Sequence, residues 1–436
     1  MKYFRLCLVA LMAALLLCSC GEQEEVGSVY YLNFKPEAAD TWEEIAEAYT
    51  AETGVEVKIL TAASGNYEQT LKAEIAKREA PTLFQINGPV GYSTWKNFCE
   101  DLSDTELYSW LLDKSLAVSD DSGVYGIPYV VEGYGIIYND AIMQKYFALP
   151  TKAVPYGSMD EINTFDKLKA VVEDMTLQKA ALGIEGVFAS TSFSAGEDWR
   201  WQTHLANLPV YYEFEDKGIA DSATLDFTYS ENFKNIFDLY INNSCTDRTA
   251  LASKTVNNSM EEFALGKVAM VQNGNWAWGQ ISSIAGNVVK EENVKFLPIY
   301  TGVAGEEKQG LCTGTENYWC VNKDADKADI DATLKFINWC VTSDKGTKAM
   351  SDMGFVIPFA KAAESTNLFV NMDSANTAAG LVPVSWNFPT MPSEQWKNNV
   401  GNALTAYAAD QTDAKWDAVE SAFINGWATE YELNNK

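Results

Sequence analysis

Val29-Tyr30-Tyr31-Leu32-Asn33-Phe34 reads as a buried strand. Residues 36–52 follow as a helix with Trp42, Ile45 and Tyr49 on one face and Gly54 at the position that closes a helix. Val55-Glu56-Val57-Lys58-Ile59-Leu60 is the second strand. A loop with Gly65, Asn66 and Tyr67 leads into a helix carrying Leu71 and Ile75, and Pro81 precedes the strand Thr82-Leu83-Phe84-Gln85-Ile86. Strand, helix, strand, helix, strand implies right-handed crossovers and a parallel sheet, hence an α/β fold. Ligands of such sheets gather at the carboxyl ends of the strands. Here those ends are Asn33-Phe34-Lys35, Ser64-Gly65-Asn66 and Gln85-Ile86-Asn87-Gly88.

Further along, Tyr125 to Asn139 contains two extended pieces flanking Glu132-Gly133, a natural place for a strand to leave one sheet and enter another. Thr164 is placed to cap a helix over 164–180, and helices are expected at 230–243, 257–265 and 329–342, with a helical tail. Lys267-Val268-Ala269-Met270-Val271-Gln272-Asn273-Gly274-Asn275-Trp276-Ala277-Trp278 reads as a buried strand that stops at an Asn-Gly-Asn turn and presents two tryptophans. The whole is read as two lobes joined by more than one crossing.

The chain has 436 residues, 47% of them hydrophobic, enough for more than one core. Its 32 Lys+Arg against 60 Asp+Glu exclude nucleic-acid binding, since no cation excess is present to displace condensed counterions. Lys2 and Arg5 precede an apolar run, Leu6 to Leu17, of signal-peptide length. Leu17-Cys18-Ser19-Cys20-Gly21 resembles a lipobox with Cys20 as the lipidated residue. Residues 1–19 are therefore expected to be removed, and 20–28 to act as a tether to the outer face of the membrane, the only membrane contact expected. Cys99, Cys245, Cys312, Cys320 and Cys340 show no zinc spacing. They leave open buried thiols or a Cys312–Cys320 bridge across a hairpin.

Catalytic patterns are sparse. His204 is the one histidine, with no nucleophile elbow near it, and reads as a core or helix-surface residue. No phosphate loop, dinucleotide turn or calcium loop is complete. A glycosidase pair of carboxylates stays open, because the separation of acids is invisible in sequence. Aromatic and amide residues in loops are abundant, and they suit sugars, which offer C–H faces to rings and hydroxyls to amides and acids.

Four pieces in order carry a resemblance: Tyr-Gly-Ile-Pro-Tyr-x-Val-Glu-x-x-x-x-Ile-Tyr-Asn at 125–139, Thr-Phe-Asp-Lys-Leu-Lys at 164–169, Phe-Ala-Leu-Gly-Lys-Val-Ala-Met-x-x-Asn-Gly-Asn-Trp-Ala-Trp at 263–278 and Phe-Leu-Pro at 296–298. Over nearly all of residues 29–430 the chain resembles the extracellular solute-binding proteins of carbohydrate ABC importers, the family that includes maltose-binding protein. The resemblance implies a two-lobed periplasmic-binding-protein-like fold, with one lobe from 29–133 plus 299–343 and the other from 134–298 plus 344–436. Ligand would lie between the lobes and be trapped by hinge closure. It also implies the site residues. Asn33, Phe34 and Lys35 follow the first strand, and Gln85 stands where maltose-binding protein has a tryptophan. Asn87 lies near a sugar-binding aspartate and Glu132 matches a glutamate beside the hinge. Glu197 and Trp199 match a glutamate-x-aromatic pair, and Asn275 and Trp276 an Asn-Gly-x-Trp turn. Glu316, Tyr318, Trp386 and Trp396 complete the set, Trp396 as a stacking ring. The implied function is capture of a di- to tetrasaccharide, such as a malto-oligosaccharide or α-galactoside, and delivery to permease subunits by a monomer. It needs no cofactor, metal or catalysis. A surface glycoside hydrolase and a carbohydrate adhesin or sensor are the alternatives.

Overall fold

The computed structural model describes residues 26–62, 66–189 and 192–434. The expected signal segment, Cys20, most of the tether and the Ser64-Gly65 loop lie outside the described residues. The strands are β1 (Val29–Asn33), β2 (Val57–Thr61), β3 (Leu83–Asn87), β4 (Val118–Asp120), β5 (Gly123–Pro128), β6 (Glu132–Asn139), β7 (Gly186–Phe188), β8 (Val268–Gly274), β9 (Val294–Leu297), β10 (Gln309–Gly314), β11 (Asn317–Val321) and β12 (Val382–Ser385). They form two six-stranded sheets, one ordered β2-β1-β3-β11-β5-β4, the other β12-β10-β6-β8-β7 with β9 also pairing β6.

In the first sheet β1 runs parallel to β2 and β3, as the opening stretch predicts, and β11, β5 and β4 then continue antiparallel. Helix Ala39–Thr53 closes on Gly54 in the left-handed conformation and lays Trp42, Ile45 and Tyr49 against the sheet. Trp42 meets Tyr31 edge-on at 4.9 Å, and Trp319 of β11 stacks on Tyr129 at 4.9 Å, so the core is built of interlocking rings. Each such fully buried ring contributes roughly 1.5–3 kcal/mol.

The chain changes sheets three times. Tyr129–Val131 carry it from β5 to β6, and Thr315–Glu316 carry it back from β10 to β11. The third passage follows Val356, whose main chain exchanges two hydrogen bonds with Val131 (2.7 and 3.0 Å). The segment 358–360 still pairs with Trp110 and Leu112 on the first lobe. Strand β10 therefore belongs to the second sheet, and helix Asp344–Asp352 packs with helices Ala39–Thr53 and Lys327–Thr342 of the first lobe. The expected boundaries at 299 and 343 thus both come too early. Extended sequence such as Gln309–Gly314 carries no mark of which sheet will pair with it.

Sheet membership also removes the Cys312–Cys320 hairpin. Cys312 on β10 pairs with Tyr134 of the second sheet, while Cys320 on β11 pairs with Phe84 of the first. Among the described residues none of the five cysteines is joined in a disulfide.

Candidate binding cleft

The crossings bring β6, the end of β8, the loop before residue 200 and the segment after β12 to one place. Their aromatic side chains converge on His204. Tyr134 stacks on the imidazole at 4.3 Å and 9°, and Phe388 lies parallel to it at 5.2 Å. Trp199 and Trp276 meet it edge-on at 4.8 and 5.7 Å, and Trp386 is tilted at 5.8 Å. The Tyr134 hydroxyl donates to the His204 carbonyl (2.7 Å). His204 is 5% exposed, and burial together with the charges of Arg200, Lys35 and Lys397 holds it neutral, well below the ordinary imidazole range.

Two glycines make this wall possible. A Cβ on Gly274 would lie 2.0 Å from the ring of Trp276, and one on Gly314 would lie 2.5 Å from Trp386. The indoles pack directly against strand backbone because no side chain stands there. Residues Asn273 and Gly274 are strand rather than turn: they pair with Gly135 and Tyr134, and the chain leaves the sheet only at Asn275. Paired neighbours on β6 complete a ladder that an Asn-Gly signal alone argues against.

Trp199 and His204 come from a wide π-helical turn, Arg200–Leu205, that runs into helix Ala206–Lys217. Pro209 sits inside that helix and offers no N–H to the carbonyl of Leu205, so the wide turn ends where regular bonding would fail. The turn is tied to β8 reciprocally. Arg200 Nε donates to the Gln272 carbonyl (2.9 Å), and Gln272 Nε2 donates to the Arg200 carbonyl (2.9 Å).

Polar groups from the first lobe and the crossings face this wall. Lys35 Nζ makes a buried bidentate ion pair with Glu132 (2.8 and 2.9 Å), joining the loop after β1 to the start of β6. Burial pushes the Glu132 carboxyl up to about 7, against the pull of Lys35. Glu316, in the second crossing, is likewise raised by burial and opposed by Lys397 and Lys35. Away from the hinge the lobes meet directly. Asn87 Nδ2 donates to Glu394 (3.4 Å), which pairs with buried Lys397 (2.8 Å), and a Cβ on Gly88 would lie 2.3 Å from Pro389. Several buried polar atoms at this boundary have no hydrogen-bond partner among the described residues: Asn87 Oδ1, His204 Nδ1, Thr313 Oγ1, Thr315 Oγ1, Trp386 Nε1 and Asn387 Oδ1. Buried polar groups are normally paired, so these atoms are candidates to meet a ligand or water.

The expected residues fall into three groups. Lys35, Asn87, Glu132, Trp199, Trp276, Glu316 and Trp386 lie along the boundary. Asn275 sits at its edge, fully buried, with its N–H on the Gly133 carbonyl (2.9 Å) and neither side-chain polar atom partnered. A second group shapes the first lobe. The Asn33 amide closes its own loop on Lys35 and Thr61, and Gln85 Oε1 accepts from the Phe34 N–H (2.7 Å) and the Tyr31 hydroxyl (2.9 Å). Phe34 packs edge-on against Tyr67, and Tyr318 lies in the same cluster. Two assignments need correction. Trp396 is 0% exposed, wedged against Phe423 and Trp427 with its N–H on the Phe423 carbonyl (3.4 Å). It shares an apolar helix face with Val400, Leu404 and Tyr407, and that face is core. Glu197 accepts from the N–H of Val256 (2.7 Å) and so serves the start of helix Val256–Ala264. The sequence reading missed His204, Tyr134, Phe388, Arg200 and Lys397. Only the density of aromatics in Trp199-Arg200-Trp201 beside a lone histidine hinted at the first.

The family model for bacterial extracellular solute-binding proteins matches residues 44–378. The chain belongs to that family. No curated protein matches the solute-binding protein by sequence. Among solved structures, RafE in complex with raffinose is 16% identical, with a TM-score of 0.71, over 92% of this chain and 99% of that one. A chitin oligosaccharide binding protein is 16% identical with a TM-score of 0.71 over 94% and 98% of the two chains. A sugar transporter from Bacillus licheniformis in complex with stachyose is 16% identical with a TM-score of 0.64 over 91% and 99%. At these identities the likeness establishes the two-lobed fold. Among the described residues no group of His, Cys, Asp and Glu is arranged to hold a metal ion, and no helix is long and apolar enough to cross a membrane.

Proposed function

We propose that this solute-binding protein captures an oligosaccharide of di- to tetrasaccharide size and hands it to the permease of an ABC importer, held to the outer face of the membrane through lipidated Cys20. The carrying observation is the convergence of Trp199, Trp276 and Trp386 around neutral His204, opposite the polar set Lys35, Glu132, Asn87 and Glu316. Rings receive the C–H faces of pyranoses, while acids, amides and lysines exchange hydrogen bonds with hydroxyls. Lys35 and Asn87 come from the first lobe, Glu132 and Glu316 from the crossings and the aromatics from the second lobe, so a sugar meets all of them only when the lobes close on it. Raffinose, stachyose and chitin oligosaccharide in the structural relatives support this ligand class. Gln85, committed to Phe34 and Tyr31, offers no stacking ring on the first lobe, which favours an α-galactoside or mixed oligosaccharide over a malto-oligosaccharide.

A thermal-shift screen over mono- and oligosaccharides tests the reading. A ligand at about a hundredfold excess over its Kd adds about 2.7 kcal/mol to stability. A clear rise in Tm with at least one oligosaccharide is expected. Flat melts across the panel, or release of monosaccharide during incubation, would count against it.

A further inference from the structure

Arg200 is 1% exposed, yet no carboxylate among the described residues lies within ion-pair distance of it. Glu197 acts on it only at longer range, its own carboxylate accepting the Val256 N–H. A buried guanidinium without an anion is costly, so its place needs a compensating role. Its contacts specify one. The guanidinium carbon lies 4.4 Å over the ring of Trp199, Nε is fixed on the Gln272 carbonyl (2.9 Å), and Nη1 reaches Ser192 Oγ at 3.5 Å. Gln272 returns a bond to the Arg200 carbonyl. The planar cation is thus held by its edge to β8 while its face supports an indole.

That indole, like Trp386, is partly exposed, whereas Trp276 is buried. Trp276 has the backbone of Gly274 beneath it and Trp386 that of Gly314. Trp199 stands at the start of a wide helical turn, touching Trp276 at 6.2 Å and His204 edge-on, and its flat support is a cation. A lysine cannot replace that support, since an ammonium has no planar face to stack and no fork to bond β8 simultaneously.

We propose that Arg200 is a positioning residue for sugar recognition: it braces Trp199 against β8 and fixes the angle at which that ring meets the ligand. The proposal rests on the carbohydrate reading of the cleft, and a two-part experiment separates their failures. In the first part the 13 tryptophans are replaced by 5-fluorotryptophan. The Trp199 fluorine resonance is assigned with Trp199→Phe and compared, without ligand, between wild type and Arg200→Lys. The resonance should shift or split in Arg200→Lys; an unchanged line overturns the proposal. In the second part, calorimetry with the tightest binder among raffinose, stachyose, acarbose and chitin oligosaccharides compares wild type, Arg200→Lys, Trp199→Ala and the double variant. Arg200→Lys should bind about tenfold more weakly, and the double variant should be no weaker than Trp199→Ala alone, because both lose the same contact. Additive losses, or wild-type affinity in Arg200→Lys, would overturn it. A moved fluorine line with no binding by any sugar would uphold the brace and remove the carbohydrate reading.

Discussion

Replacing His204 by phenylalanine keeps the ring stack with Tyr134 and Phe388 and removes the one imidazole in the chain. The consequence is a change in how stability depends on pH. Folding lowers the His204 pKa, through burial first and then Arg200, Lys35 and Lys397, so the native protein keeps the imidazole neutral. The unfolded chain binds a proton at about pH 6.5. Below that value the unfolded state gains a proton that the native state refuses, and stability falls with pH. Above it neither state is protonated and the contribution is complete. From about pH 7.5 to about pH 5 the loss amounts to about 2 kcal/mol, from RT ln(1 + 10^(pKa − pH)). Glu132, raised to about 7, and Asp198, raised to about 6, titrate in the same interval with the opposite sign, since the native state holds their protons more tightly. Comparing wild type with His204→Phe cancels them. Urea melts of tag-free protein at both pH values should show the stability gap shifting by about 2 kcal/mol in favour of the variant at the lower pH. Equal pH slopes in the two proteins, or an imidazole resonance titrating near its ordinary pKa in native protein, would refute the buried neutral histidine.

Other substitutions separate binding from packing. Trp396→Ala should cost about 3–5 kcal/mol in denaturant melts while the folded variant keeps wild-type sugar affinity in calorimetry. Lys35→Met leaves the Glu132 carboxylate buried and unpaired and should destabilise by about 3–5 kcal/mol; Lys35→Met with Glu132→Leu should recover most of that in the same melts. Gly88→Val places a side chain where Pro389 closes on the first lobe. Small-angle scattering should then show a variant that stays extended with sugar present, and calorimetry a weaker Kd, with Tm also lowered because Gly88 holds φ +57°.

Local signals in the sequence proved accurate wherever one element decided them. Gly54 ends its helix, Thr164 accepts from the Lys167 N–H as an N-cap, and the parallel order of the first three strands follows from their crossovers. The sheet change beside Glu132 was legible because two extended runs met at a glycine. The assignment of β10 was not, since membership in a sheet is decided by partners distant in sequence. The same holds for the site. Trp276 was visible from its turn, but Trp396 carried the same chemistry into a helix core. His204 became significant only when Tyr134, 70 residues earlier, and Phe388 folded onto it. Arg200 gave no sign because its partner on β8 is a main-chain carbonyl.

The central claim is that a sugar lies on the wall around His204. Calorimetric titration of wild type and Trp276→Ala with the oligosaccharide giving the largest thermal shift tests it directly. Trp276→Ala, measured at a temperature where it is fully folded, should bind at least about tenfold more weakly, a loss of about 1.4 kcal/mol. Equal affinity in the two proteins would place the sugar elsewhere and contradict the account.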